Sequence, residues 1–141
     1  MIFFDTNILV YQAINQDLHK QQKTTTLIEG AIDKNIFFIS PLVLSEFIFV
    51  LSKLKIIDEQ QDKIELYKNF SCDKIDLSLV YDSYNLCIKN QICKHINDVM
   101  HLKTAEKYCT KLITFDSDFK KLQPLTHTKI EIIGEVLPEN S

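Results

Sequence analysis

Apolar and polar positions fall along the chain in blocks that lay out short strands and amphipathic helices. Met1 to Phe4 is an unbroken apolar run that stops at Asp5-Thr6-Asn7, and Ile8, Leu9 and Val10 then resume it. That is the pattern of a buried strand ending in a polar turn that opens a helix. Lys20 to Asp33 places Leu27, Ile28, Ala31 and Ile32 on one side and predicts a half-buried helix, with Gly30 as its weak point. Ile36 to Ile39 predicts a second buried strand, and Ser40-Pro41 supplies an N-cap serine and a first-turn proline. The helix that follows, Leu42 to Leu54, is apolar on nearly every side and is expected to be mostly buried.

Asp58 to Phe70 carries Ile64, Tyr67 and Phe70 at three-residue steps among charges, which predicts an amphipathic surface helix. Behind an Asp76 cap, Leu77, Val80, Tyr81, Tyr84 and Cys87 form the expected apolar face of another helix. Asn97 to Tyr108 repeats the pattern with Val99, Leu102 and Ala105. Leu112 to Phe115 reads as a third strand, Asp116 to Leu122 as a helical turn, and Ile130 to Ile133 as a last strand before a polar tail, Pro138 to Ser141. This order predicts an α/β fold, a three-layer sandwich with a central, mostly parallel sheet flanked by helices, as a single domain over residues 1–141. The helical section between the second and third strands is long for one crossover and is a candidate subdomain, lid or dimer surface.

Composition keeps this picture and narrows the compartment. With 45% hydrophobic and 25% charged residues in 141, the chain has an ordinary globular balance and can bury about two thirds of its unfolded surface. The apolar N-terminus lacks a basic flank and carries Asp5, so it is a poor signal peptide. The longest apolar stretch, Ile36 to Leu51, is interrupted by Ser40, Pro41, Ser45 and Glu46 and is too short to span a bilayer. A soluble, cytoplasmic protein is expected. Cys72, Cys87, Cys93 and Cys109 form no Cys-x-x-Cys pair and read as reduced, buried small hydrophobes. All 16 basic residues are lysine, so bidentate guanidinium recognition of phosphates or base edges is excluded.

The carboxylates change the picture most. Asp5 stands at the carboxyl end of the first strand, where open α/β sheets bind ligands. Glu46 lies in a run of apolar residues where an uncompensated charge would cost several kcal/mol if fully buried. It faces solvent beside Ser45 and Ser52, pairs with a lysine, or binds a cation. Asp98, taken alone, reads as a helix cap, and Asp116 and Asp118 after the third strand are open to the same reading. Taken together, all four regions can converge on one edge of the sheet. Several carboxylates brought within a few ångströms repel each other unless a cation sits among them, and hard divalent ions favour such oxygen donors. His101, three residues after Asp98 on the same helical face, is open to a reading as ligand or general base, but the carboxylates already suffice for a hard metal and a satisfied packing histidine is expected.

The motifs Asp5-Thr6-Asn7, mid-helix Glu46, Asn97-Asp98 running into Val99 to Ala105, and Thr114 to Phe119 resemble those of a PIN-domain ribonuclease of the VapC toxin type. They span nearly the whole chain in the family's order and approximate spacing. The resemblance implies that Asp5, Glu46, Asp98 and Asp116 ligate Mg²⁺ or Mn²⁺, with Asp118 an additional acid at the rim. It places Thr6 and Asn7 beside Asp5 to orient its carboxylate or a water. It also implies an RNA substrate such as transfer RNA, a small antitoxin that silences the chain, and a homodimer.

A net charge of −3 sits poorly with an RNA-binding surface, but setting aside the five site acids reverses the sign of the remainder. Lys103, Lys107 and Lys111, spaced by four, and Lys120-Lys121 are candidates for phosphate contact; an ordinary solvated face is the equal alternative. Two other readings stay open. One is a module that keeps the fold without catalysis and binds RNA or protein. The other, an aspartyl-phosphate enzyme built on Asp5, wants a second aspartate where Asn7 stands.

Overall fold

The computed structural model describes residues 1–134, so the tail from Pro138 to Ser141 lies outside the described residues. β1 (Ile2–Phe4) leads into α1 (Thr6–Ala13) and α2 (Leu18–Asp33), and β2 (Phe37–Phe38) into α3 (Pro41–Lys53). α4 (Gln61–Tyr67), α5 (Leu77–Asn90) and α6 (Ile96–Tyr108) follow, then β3 (Lys111–Thr114) and β4 (Lys129–Ile132). The helices begin where short polar side chains can occupy free amides: Asp5, Asp17 and Ser40 accept from the backbone N–H of Thr6, Lys20 and Val43.

The four strands form one parallel sheet in the order β2-β1-β3-β4, flanked by the helices. Phe3, Phe4, Phe37, Leu112 and Ile113 are buried, as strands covered on both faces must be, and each such side chain stabilises the fold by about 1.5–3 kcal/mol. From β1 the chain goes to β2 on one side and later to β3 on the other. The crevice at the carboxyl ends of β1 and β3 is therefore the switch point at which open α/β sheets place their ligands.

Three expectations about the helices are corrected. The segment from Asp58 to Phe70 is a 3₁₀ turn at Ile57–Gln60, then α4, then a second 3₁₀ turn at Lys68–Phe70. The strict three-residue step of Ile64, Tyr67 and Phe70 matches the three residues per turn of a 3₁₀ helix better than the 3.6 of an α-helix. α3 is buried only along Val43, Phe47 and Leu51, and Phe49 is 63% exposed. On α5 the buried line is Leu79, Ser83 and Cys87, while Leu77, Tyr81, Tyr84 and Ile88 face outward. Small side chains at 83 and 87 let α5 lie close against α6, and the larger ones are turned away. Ser83 satisfies its hydroxyl within the helix by donating to the Leu79 carbonyl. Tyr67 of α4 and Cys87 of α5 join the same core as the strands, so the middle helices are packed on the sheet.

Candidate metal centre

Asp5 is placed by the sheet itself. Its amide donates to the Ile113 carbonyl at 3.0 Å, extending the β1–β3 ladder by one residue and fixing where the side chain emerges. One carboxylate oxygen accepts from the Thr6 amide at 2.8 Å and the other from the Thr114 hydroxyl at 2.7 Å. Thr114 is the hub on the β3 side: its hydroxyl oxygen also accepts from the Asp116 amide at 2.9 Å and the Asn7 side chain at 3.3 Å. Within the sequence motif Thr114 carries no role of its own; its one signal is position, near the end of a strand expected to run beside β1.

Glu46 reaches the same point from α3. Its Oε1 accepts from the Thr6 hydroxyl at 2.6 Å and lies 2.7 Å from His101 Nε2, and its Oε2 accepts from the Asn97 side-chain amide at 3.3 Å. An ionised carboxylate can only accept, so Nε2 carries the hydrogen. His101 is 1% exposed, packs against the Phe3 ring with centroids 5.5 Å apart, and also approaches Asp5 Oδ1 at 3.7 Å. Its Nδ1 is buried without a hydrogen-bond partner. His101 is thus not the satisfied core histidine expected from its spacing. The helical step from Asp98 placed it on the right face, but only the tertiary fold could show carboxylates from β1 and α3 meeting it there.

Asp5, Glu46 and His101 offer ligand atoms that all lie within 4.8 Å of one another. Asp98 and Asp116 stand outside this tight trio but line the same open hollow, of about 380 Å³, together with Thr6 and Asn7. Asp98 lies in the first turn of α6, with its Oδ2 3.7 Å from His95 Nδ1. Asp116 caps the 3₁₀ turn Ser117–Lys121, accepting from the Asp118 amide at 2.9 Å. Asp118 is exposed and borders an adjoining recess with His95, Lys121 and Asp98, the last of which also lines the hollow. Asp118 thus stands beside the hollow, next to Asp98, rather than in its lining. Thr6 and Asn7 are also assigned differently from expectation: the Thr6 hydroxyl serves Glu46, and Asn7 ties down the end of β3 by accepting from the Phe115 amide at 3.2 Å.

The lysine candidates fall elsewhere. Lys103 pairs with Glu106 and Lys107 with Asp76, each at 3.2 Å, and both lysines line a different hollow, between α5 and α6. Lys111 belongs to β3 and pairs with Glu131, so the three do not share one helical edge. Lys120 and Lys121 lie in the 3₁₀ turn after Asp116, and neither borders the acidic hollow.

Burial and crowding set the protonation of the cluster. Burial raises the Asp5 carboxyl above its ordinary value against the opposing pull of His101 and Thr114. Burial also works to raise Glu46, but hydrogen bonds and charge from His101, with help from Thr6 and Asn97, leave it lowered. Asp98 is pushed up to about 7, by burial first and then by the charge of Asp5, Asp116 and Glu46. Burial works against His101 being charged, yet the Glu46 hydrogen bond and the surrounding carboxylates raise its pKa.

A stability prediction follows from these directions. Asp5, Asp98 and His101 all hold their protons more tightly folded than unfolded, so their contribution to stability is full at low pH and is lost as pH rises through their folded values. The metal-free protein is expected to melt lower at about pH 8 than at about pH 5.5, and divalent metal is expected to raise the melting temperature far more at the higher pH. Thermal melts with EDTA or Mg²⁺ at the two pH values check this. An equal metal effect at both would contradict it.

A parallel sheet with an Asp/Glu/His cluster at its switch point defines an α/β domain of nuclease type. The PIN-domain family model matches residues 2–124, and the chain belongs to the PIN-domain family. The comparison with curated proteins gives no match. PIN domains are generally metal-dependent nucleases, and the matched span contains every residue lining the hollow. Among the described residues no helix is long and apolar enough to cross a membrane.

Proposed function

We propose that this chain is a Mg²⁺- or Mn²⁺-dependent endoribonuclease that hydrolyses RNA phosphodiester bonds to 5′-phosphate and 3′-hydroxyl ends. The observation that carries the reading is the meeting of Asp5, Glu46, Asp98 and Asp116 around one hollow at the β1/β3 switch point. The donor set fits a hard divalent ion. It is rich in carboxylate oxygens, and burial first, then the charge of Asp5, Asp116 and Glu46, raises Asp98 to about 7, a cost that a cation among them would offset. When bound there, such an ion lowers the pKa of water and polarises a phosphoryl oxygen.

The chain's own residues divide the remaining work. Asp5, Glu46, Asp98 and Asp116 are the proposed ligands, with Asp118 an additional acid in the recess that shares Asp98. Thr114 and the Thr6 amide hold Asp5, while the Thr6 hydroxyl, Asn97 and His101 hold Glu46. His101 spends its Nε2 hydrogen on Glu46, which makes it a positioning residue in this arrangement rather than a ligand. RNA cleavage by the purified protein should be silenced by EDTA and restored by excess Mg²⁺ or Mn²⁺. Cleavage that persists in EDTA would remove the proposal.

The motif resemblance supports a finer proposal, that the chain is the toxin of a toxin–antitoxin pair acting in the cytoplasm, with transfer RNA as a target class. The outward apolar residues of α5, Leu77, Tyr81, Tyr84 and Ile88, support the homodimer expected with it. Co-expression with the adjacent reading frame should yield a small protein that co-purifies with the chain and blocks its metal-dependent cleavage. A neighbour that neither binds nor inhibits would refute the toxin assignment. Light scattering giving the mass of one chain, 16.4 kDa, would refute the dimer.

A further inference from the structure

Two lysines outside the hollow's lining are seated on aromatic rings that adjoin it: Lys53 on Phe49, which lines the hollow, and Lys20 on Tyr11 and Phe115, whose amide donates to the lining residue Asn7. On the α3 side, Phe49 lines the hollow three residues after Glu46, on the same helical stripe. It is 63% exposed, although it borders a polar, carboxylate-lined depression. Lys53 Nζ lies 5.6 Å from its ring centroid. On the other flank of α1, beyond Asn7, Tyr11 meets Phe115 edge-on with centroids 5.0 Å apart. Lys20 Nζ lies 4.5 Å from the Tyr11 ring centroid and 5.3 Å from that of Phe115. Among the described residues neither Lys20 nor Lys53 has a carboxylate partner within 4.0 Å, in contrast to Lys103, Lys107 and Lys111.

α1 explains the two-sided layout. Thr6 and Val10 face α3 and the hollow, whereas Asn7 and Tyr11 face the end of β3. The lysines therefore lie on opposite sides of the carboxylates, each with its charge left for an external anion. An aromatic face beside a carboxylate-lined hollow suits a nucleobase, whose π-face stacks on it and whose phosphate runs on toward the charges. A duplex keeps its bases stacked within the helix, so only an unpaired strand can offer one to Phe49.

We propose that an unpaired RNA strand crosses the hollow from the Lys20–Tyr11–Phe115 flank to Phe49, with one base stacked on Phe49 and flanking phosphates met by Lys20 and Lys53. The proposal rests on the ribonuclease reading and adds the strand's path and the residues of this chain that meet it. Because every base has a π-face, Phe49 selects for an unpaired base rather than a particular sequence. Lys20 and Lys53 take the place of Lys103 and Lys107, which Glu106 and Asp76 hold, as the phosphate contacts.

The sequence contains no tryptophan, so Phe49→Trp introduces a single reporter at the stacking position. In an Asp98→Asn background with Mg²⁺, an unstructured oligoribonucleotide is expected to quench its emission, and a fully paired duplex of the same length to leave it unchanged. In the otherwise native chain, Phe49→Ala and Phe49→Leu are expected to raise KM for the oligoribonucleotide about tenfold with little change in kcat, and Phe49→Tyr to retain the native KM. Lys20→Ala and Lys53→Ala should each lower the salt dependence of binding by about one unit of slope. EDTA-sensitive cleavage by the unmodified chain is the control for the ribonuclease reading. If that control holds while Phe49→Leu keeps native KM, or RNA leaves the tryptophan emission unchanged, the strand path is overturned and the ribonuclease reading stands. Loss of antitoxin binding by Phe49→Ala with KM unaltered would reassign the face to a protein and overturn the strand path as well.

Discussion

Asp98→Asn is expected to abolish RNA cleavage while making the metal-free protein more stable. His95, not Asp98, is the N-cap of α6, and the ion-pair contact of Asp98 is with His95 at 3.7 Å, so asparagine removes little from the fold. What it removes is charge in a crowded place, where burial and the neighbouring Asp5, Asp116 and Glu46 push the native carboxyl up to about 7. At about pH 8 the native side chain is ionised against that repulsion, and the asparagine is not. The variant should therefore melt higher in EDTA, by about 2–4 °C for each kcal/mol of repulsion relieved. Its cleavage rate should fall by at least about a hundredfold, since loss of a mere supporting partner of a metal ligand already costs about 10–100-fold. A variant that cleaves RNA normally would remove Asp98 from the site. One that is both inactive and less stable would assign it a structural role. Asp5→Asn is a less clean test, because Asp5 accepts from both the Thr6 amide and the Thr114 hydroxyl, and an amide can satisfy only part of that pattern.

His101→Leu is expected to produce the opposite stability change and a comparable functional loss. The imidazole is wedged between Glu46 at 2.7 Å and Asp5 at 3.7 Å, and its charge lets two largely buried carboxylates approach one another. Leucine keeps the apolar contact with Phe3 but leaves Glu46 Oε1 with only the Thr6 hydroxyl. The metal-free variant should melt lower than the native protein at about pH 8, and Mg²⁺ should recover much of the difference. Mn²⁺ affinity, measured by calorimetry, should fall about 10–100-fold, as expected when a ligand loses the group that orients it. His101→Gln offers a side-chain amide in place of Nε2–H and should recover part of that affinity. Native Mn²⁺ affinity in His101→Leu would show that Glu46 needs no such support.

Much of the fold was legible because the relevant signals are local. The stop from Phe4 to Asp5, the Ser40-Pro41 helix start and the short β-branched runs each follow from backbone and capping chemistry within a few residues. The buried lines of α3 and α5 differ from expectation for one reason. A periodic apolar stripe states that a face could be buried, but not which face is. On α5 the small pair Ser83 and Cys87 took the inward position from Tyr81 and Tyr84 because α6 lies close by, a contact invisible in the helix's own sequence.

For the site, the sequence by itself determined the acids and the edge on which they could meet. Asp5 and Asp116 follow strands, Glu46 interrupts an apolar helix, and Asp98 opens a helix; charge repulsion does the rest of the reasoning. The tertiary structure alone decided which partners each acid keeps. It set Asp118 in a recess beside the hollow, gave the Thr6 hydroxyl to Glu46, made Thr114 the hub of the β3 side, and set His101 among the carboxylates. Those assignments depend on hydrogen bonds between residues 40 to 109 positions apart. No periodicity or local spacing encodes such distances; the order of the strands and the packing of α1 and α3 beside them do.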